Sequence, residues 1–150
     1  MPNAKMNCFA DTNLLVYAVD PTSDQKRALV KQLLEQITSR HTLVLSMQSL
    51  NECYRVITEK RRLVARNSAQ LYIAALHTYC TAPYDFDATR LAWRIQESRG
   101  LGWWDCMLLA SASLAGCEVF FSEDMQHEVS IGDVTILNPF KLDSTFGLVR

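Results

Sequence analysis

The sequence predicts an α/β fold, in which helices cover a parallel sheet. Short apolar runs alternate with longer segments of helical period, and residues that favour turns or helix caps separate them. The chain has 150 residues, of which 49% are hydrophobic, and a chain of this length buries roughly two-thirds of its unfolded surface. We therefore predict one domain over residues 1–150. Residues 143–150 show no clear period and are expected to fray.

The first predicted strand ends at Asp11. Residues 6–10 form an apolar run, and a second apolar run over residues 14–17 predicts a helix that begins near Asn13. Residues 20–23 include a proline and two hydroxyl residues, so they break this helix and cap the next one. The core face of that second helix is predicted to contain Leu29, Leu33, Leu34 and Ile37.

A second strand and a third helix follow. Residues 43–45 are a short apolar run that predicts a buried strand, and Ser46 is placed to cap the helix after it. Leu50, Tyr54 and Ile57 share one face of this helix. Glu52 lies in its second turn.

The helical period of the sequence predicts two further helices in the middle of the chain, over residues 68–79 and 87–98. Asp87 is the expected cap of the latter, and Gly100 is its expected end. Neither helix carries obvious chemistry.

The last third predicts one helix and two strands. The helix covers residues 104–115, has Asp105 in its first turn and ends at Gly116. The strands cover residues 118–121 and 134–137.

Composition limits the classes of function. The formal net charge of −1 provides no general attraction to nucleic acid, so a polyanion would need a local basic patch or metal ions. No apolar stretch approaches the roughly 18 to 20 residues of a membrane span, and the N-terminus lacks a basic segment followed by an apolar one. We expect a cytoplasmic protein without a membrane partner.

Four acidic residues occupy comparable places in the predicted fold. They follow a strand or lie early in a helix, and they are Asp11, Glu52, Asp105 and Asp124. Each one alone has a simple explanation, because acidic residues cap helices and offset the helix dipole. Together they would repel one another and take up protons unless a cation were shared.

The donor atoms suggest which cation and which reaction. Oxygen ligands without a histidine or cysteine partner suit Mg²⁺ or Mn²⁺, and the three histidines and five cysteines here show no metal-binding spacing. Such ions lower the pKa of water and offset charge on phosphorus oxygens. The acidic residues therefore favour phosphodiester hydrolysis.

The motifs that carry these acids resemble those of PIN-domain nucleases, in particular the VapC-type toxins of toxin–antitoxin pairs. The resemblance covers residues 6–140 and rests on the order and spacing of its motifs. These are Asp11-Thr12-Asn13 after a strand, Ser49-Leu50-Asn51-Glu52, Trp104-Asp105 at a helix start, Phe121-Ser122-Glu123-Asp124 after a strand, and Asn138-Pro139-Phe140.

The resemblance implies several properties of the chain. It implies a three-layer α/β/α sandwich with a central, mostly parallel sheet. It implies an endoribonuclease that depends on Mg²⁺, with Mn²⁺ as a substitute, and that forms a homodimer inhibited by an antitoxin. The catalytic and metal-binding residues would be Asp11, Glu52, Asp105 and Asp124, with Asn13 and Ser122 as polar accessories.

The chain departs from the family pattern at one position. Family members often have a hydroxyl residue three positions before the third acid, and this chain has Gly102 there. The departure puts an accessory hydrogen bond in doubt and leaves the four acids intact.

Other residues have two interpretations each. Lys60, Arg61, Arg62 and Arg66 could contact RNA phosphates, or could complement a helix C-terminus and face water. Trp103 and Trp104 fit core packing at a helix start, with stacking on a base as the alternative. For the whole chain, the alternative to a nuclease is a PIN-like module that binds RNA or a protein without cleavage.

Overall fold

The computed structural model describes residues 4–142, and its centre is a five-stranded sheet. The strands are β1 (Asn7–Ala10), β2 (Thr42–Val44), β3 (Val119–Phe121), β4 (Val129–Ile131) and β5 (Val134–Leu137). Their order is β2-β1-β3-β5-β4, and only the β4–β5 pair is antiparallel. Phe9 is in register with Val44 on one side and with Phe120 on the other. The prediction of a mostly parallel sheet is confirmed.

Six α-helices surround the sheet in the described residues. They are α1 (Thr12–Tyr17), α2 (Asp24–Arg40), α3 (Met47–Arg55), α4 (Arg66–Leu76), α5 (Phe86–Arg99) and α6 (Trp103–Leu114). A π-helical turn, Val56–Lys60, continues α3, and short 3₁₀ turns occupy His77–Tyr79 and Pro139–Lys141.

The two faces of the sheet belong to two separate apolar cores. Successive side chains of a strand point to opposite faces. Cys8 and Ala10 accordingly pack with residues of α1 to α4, whereas Phe9 packs with residues of α5 and α6. The Phe9 ring stacks on Phe120 of the neighbouring strand, with ring centroids 4.9 Å apart. The resulting three layers are the α/β/α arrangement that the family resemblance implied.

Two predicted helix ends are confirmed by their local chemistry. The Ser46 hydroxyl accepts a hydrogen bond from the Ser49 N–H at the start of α3. Gly100 ends α5 with a φ of 66°, a left-handed conformation that glycine adopts without steric cost.

The structure corrects two details of the sequence interpretation. The cap of α5 is Asp85, which accepts from the Ala88 N–H, and Asp87 lies in the first turn, where it pairs with Arg90. Strand β4 was missed because it is a short edge strand whose central residue, Ser130, is exposed.

Two expectations concern the chain ends and membranes. Residues 143–150, for which fraying was expected, lie outside the described residues. Across residues 4–142, every helix is too short or too polar to cross a membrane.

The parallel strands bring distant sequence positions to one edge of the sheet. Strands β1, β2 and β3 all run in the same direction, so their carboxyl ends lie side by side. The Asp11 N–H extends the pairing of β1 and β3 by donating to the Phe121 carbonyl at 2.9 Å. Ligands of open α/β sheets bind in the crevice beyond these strand ends.

Candidate active site

The four acidic side chains line one cleft beyond the carboxyl ends of the parallel strands. The cleft has a volume of about 340 Å³, and its lining includes Asp11, Asn13, Glu52, Asp105 and Asp124. The structure therefore brings together residues that are up to 113 positions apart in the chain, from Asp11 to Asp124.

Asp11 is the buried member of the group, with only 7% of its surface exposed. It caps α1: the Thr12 N–H donates to its Oδ1 at 2.7 Å, and the Ser122 hydroxyl donates to its Oδ2 at 2.8 Å. Burial raises the pKa of Asp11 to about 6, the hydrogen bonds oppose this rise, and the charges of Asp105 and Asp124 add to it. An uncompensated negative charge is therefore unfavourable here.

Ser122 does not line the cleft but connects two of its acids. Its oxygen accepts the backbone N–H groups of Asp124 and Met125, at 3.2 and 3.3 Å, while its hydroxyl donates to Asp11. The side chain is completely buried. Ser122 thus sets the position of the loop that carries Asp124.

Glu52 is held by hydrogen bonds to both of its oxygens. Gln48, one turn earlier on α3, donates from Nε2 to Oε1 at 2.8 Å, and the Thr12 hydroxyl donates to Oε2 at 3.0 Å. Sequence reasoning missed both partners. The i, i+4 spacing of Gln48 and Glu52 was a usable signal, because such residues are neighbours on a helix surface.

Asp105 lies in the first turn of α6 and is half-buried. Burial raises its pKa, and the negative charges of Asp124 and Glu52 raise it further. The cap position of α6 is Gly102, which has no side chain to donate or accept. A Cβ atom built on Gly102 would lie 4.0 Å from Asp105 Oδ2, so a hydroxyl residue at this position would be near that carboxylate.

Asn13 also lines the cleft. Its Nδ2 donates to Asp124 Oδ2 at 2.8 Å. Its Oδ1 is buried and finds no hydrogen-bond partner among the residues that the structure describes. A buried acceptor without a partner is costly, and this oxygen, which has almost no accessible surface, would reach a ligand only if the side chain moved.

Only one of the four predicted basic residues lines the cleft. Arg61 does so, and its guanidinium pairs with the buried carboxylate of Asp20 at 2.9 Å. Lys60, Arg62 and Arg66 are exposed residues outside the cleft lining. Arg61 is therefore in the cleft, whereas Lys60, Arg62 and Arg66 are not.

The cleft offers oxygen atoms to a metal ion but no complete set of side-chain ligands. Within residues 4–142, no three His, Cys, Asp or Glu side chains are close enough to hold one ion by themselves. An ion shared by these carboxylates would keep water among its ligands, which is usual for Mg²⁺.

Comparison with known proteins identifies the family. The PIN domain family model matches residues 8–130. The chain belongs to the PIN-domain family. No curated protein sequence matches this PIN domain in direct comparison.

Solved structures share the fold of this PIN domain. A chain of a toxin–antitoxin complex from Klebsiella pneumoniae has a TM-score of 0.67 at 20% identity, and the match covers 90% of this protein and 99% of that chain. VapBC2 from Rickettsia felis, bound to a DNA fragment from its promoter, has a TM-score of 0.63 at 15% identity, and the match covers 87% of this protein and 97% of that chain. VapC20 from Mycobacterium tuberculosis, a sarcin–ricin loop cleaving toxin, has a TM-score of 0.57 at 17% identity, and the match covers 78% of this protein and 91% of that chain.

Proposed function

We propose that this PIN domain is an endoribonuclease that hydrolyses RNA phosphodiester bonds with Mg²⁺ or Mn²⁺. The convergence of Asp11, Glu52, Asp105 and Asp124 in one cleft carries the proposal. The raised pKa values of Asp11 and Asp105 support it, because burial and, to a lesser extent, neighbouring negative charges disfavour the charged forms, and a bound divalent cation would offset both effects.

The residues of the cleft fit such an ion. All four acids supply the hard oxygen ligands that Mg²⁺ and Mn²⁺ prefer. Asp11, Asp105, Asp124 and Glu52 would hold the ion, directly or through water. Ser122 would orient Asp11, and Asn13 would orient Asp124.

The reaction requires a positioned water and a stabilised phosphate. When bound, the ion would supply the acidity that makes water a nucleophile at neutral pH and would offset charge on the phosphate. The water loses one proton to solvent as its oxygen forms a bond to phosphorus, the bond from phosphorus to one ribose oxygen breaks, and that oxygen takes up a proton from solvent. Glu52 would accept a hydrogen bond from the water, because Thr12 and Gln48 hold both of its oxygens in place.

Basic residues would hold the RNA backbone. Arg61 would contact a phosphate inside the cleft, since Asp20 fixes its guanidinium at the cleft wall. Lys60, Arg62 and Arg66 would contact phosphates further along the strand.

A cleavage assay tests the nuclease proposal. Purified protein is incubated with RNA in Mn²⁺ and in EDTA, beside the double variant Asp11→Asn/Asp105→Asn. The control is Asp24→Asn/Asp87→Asn, which removes two exposed carboxylates that pair with nearby arginines outside the cleft. We expect cleavage by the wild type and the control in Mn²⁺ only, and none by the cleft variant.

The same samples separate the two interpretations of the chain. Thermal unfolding with and without Mn²⁺ reports metal binding independently of cleavage. Equal cleavage by the wild type and the cleft variant would contradict the proposal. A Mn²⁺-dependent rise in Tm without cleavage of any RNA would favour the non-cleaving binding module.

We propose further that the protein is a cytoplasmic toxin inhibited by a cognate antitoxin. The fold is shared with a toxin–antitoxin complex and with two VapC-containing structures, which supports this role. The test is to co-express the short reading frame adjacent to its gene. We expect the encoded protein to co-purify with this chain and to abolish RNA cleavage, and active nuclease in the purified pair would contradict the toxin role.

The family resemblance also leads us to propose a homodimer. Multi-angle light scattering on the purified chain measures its mass directly. A mass of about twice 17.0 kDa is expected, and a monomer at all concentrations would contradict the proposal.

A further inference from the structure

Two exposed aromatic residues, Trp104 and Tyr84, form an aromatic edge that Gln48 joins to the acidic cleft. Trp104 lines the cleft, and its side chain directly precedes Asp105 at the start of α6. Trp104 is 61% exposed and Tyr84 is 41% exposed, whereas Trp103 packs against the apolar core. Core packing therefore accounts for Trp103 and leaves the Trp104 ring available to a ligand.

Gln48 ties this aromatic edge to the acidic group. Its Nε2 donates to the Trp104 carbonyl at 3.2 Å and to Glu52, and its Oε1 accepts from the Tyr84 hydroxyl at 2.7 Å. Gln48 is only 9% exposed, so these part-buried bonds are partly shielded from water. Gln48 thus fixes the main chain at Trp104 and the hydroxyl of Tyr84 beside Glu52 before any ligand arrives, which reduces the entropy lost on binding.

The surroundings of Trp104 match a nucleotide in two respects. A nucleotide has a charged phosphate and a flat base. The acidic cleft, loaded with a divalent ion, and Arg61 would complement the phosphate. The exposed indole beside the cleft would complement the base, because every base has a face that stacks on an aromatic ring.

We propose that Trp104, supported by Tyr84 through Gln48, stacks on an unpaired nucleobase next to the scissile phosphate. This inference rests on the proposed nuclease function and adds a structural requirement to it. A base within a continuous duplex is already stacked between its neighbours and cannot present its face to Trp104. The substrate must therefore expose an unpaired base, as in a single strand or a loop.

The test compares an intact RNA strand with a strand that has no bases. The binding constant is measured by fluorescence anisotropy, in Ca²⁺ and in EDTA, for a labelled unstructured strand of mixed sequence and for the same strand with abasic riboses. A gel confirms that the strands remain intact. The variants are Trp104→Ala and Trp104→Phe. The control is Trp93→Ala, which removes an exposed tryptophan of α5 outside the cleft.

We expect the Trp104 indole to contribute to RNA binding only when the strand carries bases. Trp104→Ala should weaken binding of the intact strand about 5- to 100-fold and leave binding of the abasic strand unchanged. Trp104→Phe should restore much of the loss, and Trp93→Ala should match the wild type. The rise in Tm with Mn²⁺ should be the same in Trp104→Ala and the wild type, which shows an intact fold and an intact acidic cleft.

Several results would overturn the inference. The inference fails if Trp104→Ala does not change binding of the intact strand, or if it weakens binding of the intact and abasic strands equally. It is also overturned if the wild type binds neither strand. If Trp104→Ala binds RNA normally but escapes inhibition by the co-expressed partner, the edge contacts a protein and not a base. RNA cleavage is measured separately, with Asp105→Asn as the inactive reference. Base stacking on Trp104 without RNA cleavage would overturn only the nuclease function. RNA cleavage without any effect of Trp104→Ala on RNA binding would overturn only this inference.

Discussion

Ser122 and Asp11 lie 111 positions apart in the chain and are joined by a buried hydrogen bond of 2.8 Å. The hydroxyl donates to Asp11 Oδ2, and the same oxygen accepts the N–H groups of Asp124 and Met125. One small side chain therefore stabilises the charged form of Asp11 and shapes the loop that carries Asp124.

Ser122→Ala should weaken the fold and the metal site together. The substitution leaves two loop N–H groups and one carboxylate oxygen without their partner, so we expect a loss of about 1 to 3 kcal/mol in the free energy of unfolding. Mn²⁺ affinity should fall about 10- to 100-fold, because outer partners orient metal-binding side chains. Urea unfolding and Mn²⁺ titration measure the two effects. Ser39→Ala, at an exposed position of α2, is the control, and equal behaviour of the two variants would disprove this role.

In the metal-free protein, Asp11→Asn should become more stable relative to the wild type as the pH rises. Burial raises the pKa of Asp11 to about 6 from an ordinary value of 3.8, so the folded state holds this proton more tightly than the unfolded state. Its contribution to stability is therefore complete below about pH 4 and is lost as the pH rises through about 6. Asparagine cannot ionise. It keeps an oxygen to accept from the Thr12 N–H and loses the acceptor of the Ser122 hydroxyl, a cost that is nearly the same at every pH.

Urea unfolding in EDTA measures the predicted pH dependence. Relative to the wild type, we expect Asp11→Asn to gain about 2 kcal/mol of stability between pH 4 and pH 8. The other acids are common to both proteins and largely cancel in this difference. A difference that does not change with pH would show that the Asp11 pKa is not raised.

Thr12→Val should slow RNA cleavage without unfolding the protein. Valine has nearly the same shape as threonine but cannot donate the hydrogen bond that the Thr12 hydroxyl makes to Glu52 Oε2. We expect cleavage to fall about 10- to 100-fold, in line with other partners that orient active-site residues. Thr12→Ser keeps the hydroxyl and should restore most of the rate. If valine and serine give equal rates, orientation of Glu52 by Thr12 is not required.

Gly102→Ser should strengthen the start of α6 and the adjacent carboxylate. The φ of −60° and ψ of 149° at Gly102 suit any residue, and a Cβ there would lie 4.0 Å from Asp105 Oδ2. A serine hydroxyl would cap the helix, so we expect the free energy of unfolding to rise by about 0.3 to 1 kcal/mol. A hydrogen bond to Asp105 would also lower the raised pKa of this carboxyl and tighten Mn²⁺ binding. Gly102→Ala adds the Cβ alone, and an equal gain from alanine would exclude the role of the hydroxyl.

Features that depend on neighbouring residues in the chain were predictable from the sequence. The strands at residues 43–45 and 134–137 were located to within a residue, because a buried strand is a short apolar run between caps and turns. Ser46 and Gly100 were recognised because a cap depends on residues within one helical turn. Strand β4 escaped prediction because its pairing with β5, and not its own apolar pattern, makes it a strand.

The sequence by itself determined the α/β class and the order of the four acids, because periodicity and motif spacing are local properties of the chain. The tertiary structure decided how those acids are supported. The hydrogen bonds of Glu52 with Thr12 and Gln48, and the separation of Arg61 from the other basic residues, arise where distant segments meet. The raised pKa of Asp11 likewise depends on burial and on charges contributed by α6 and by the loop after β3. Burial and electrostatic coupling are properties of three-dimensional distance, which sequence spacing does not specify.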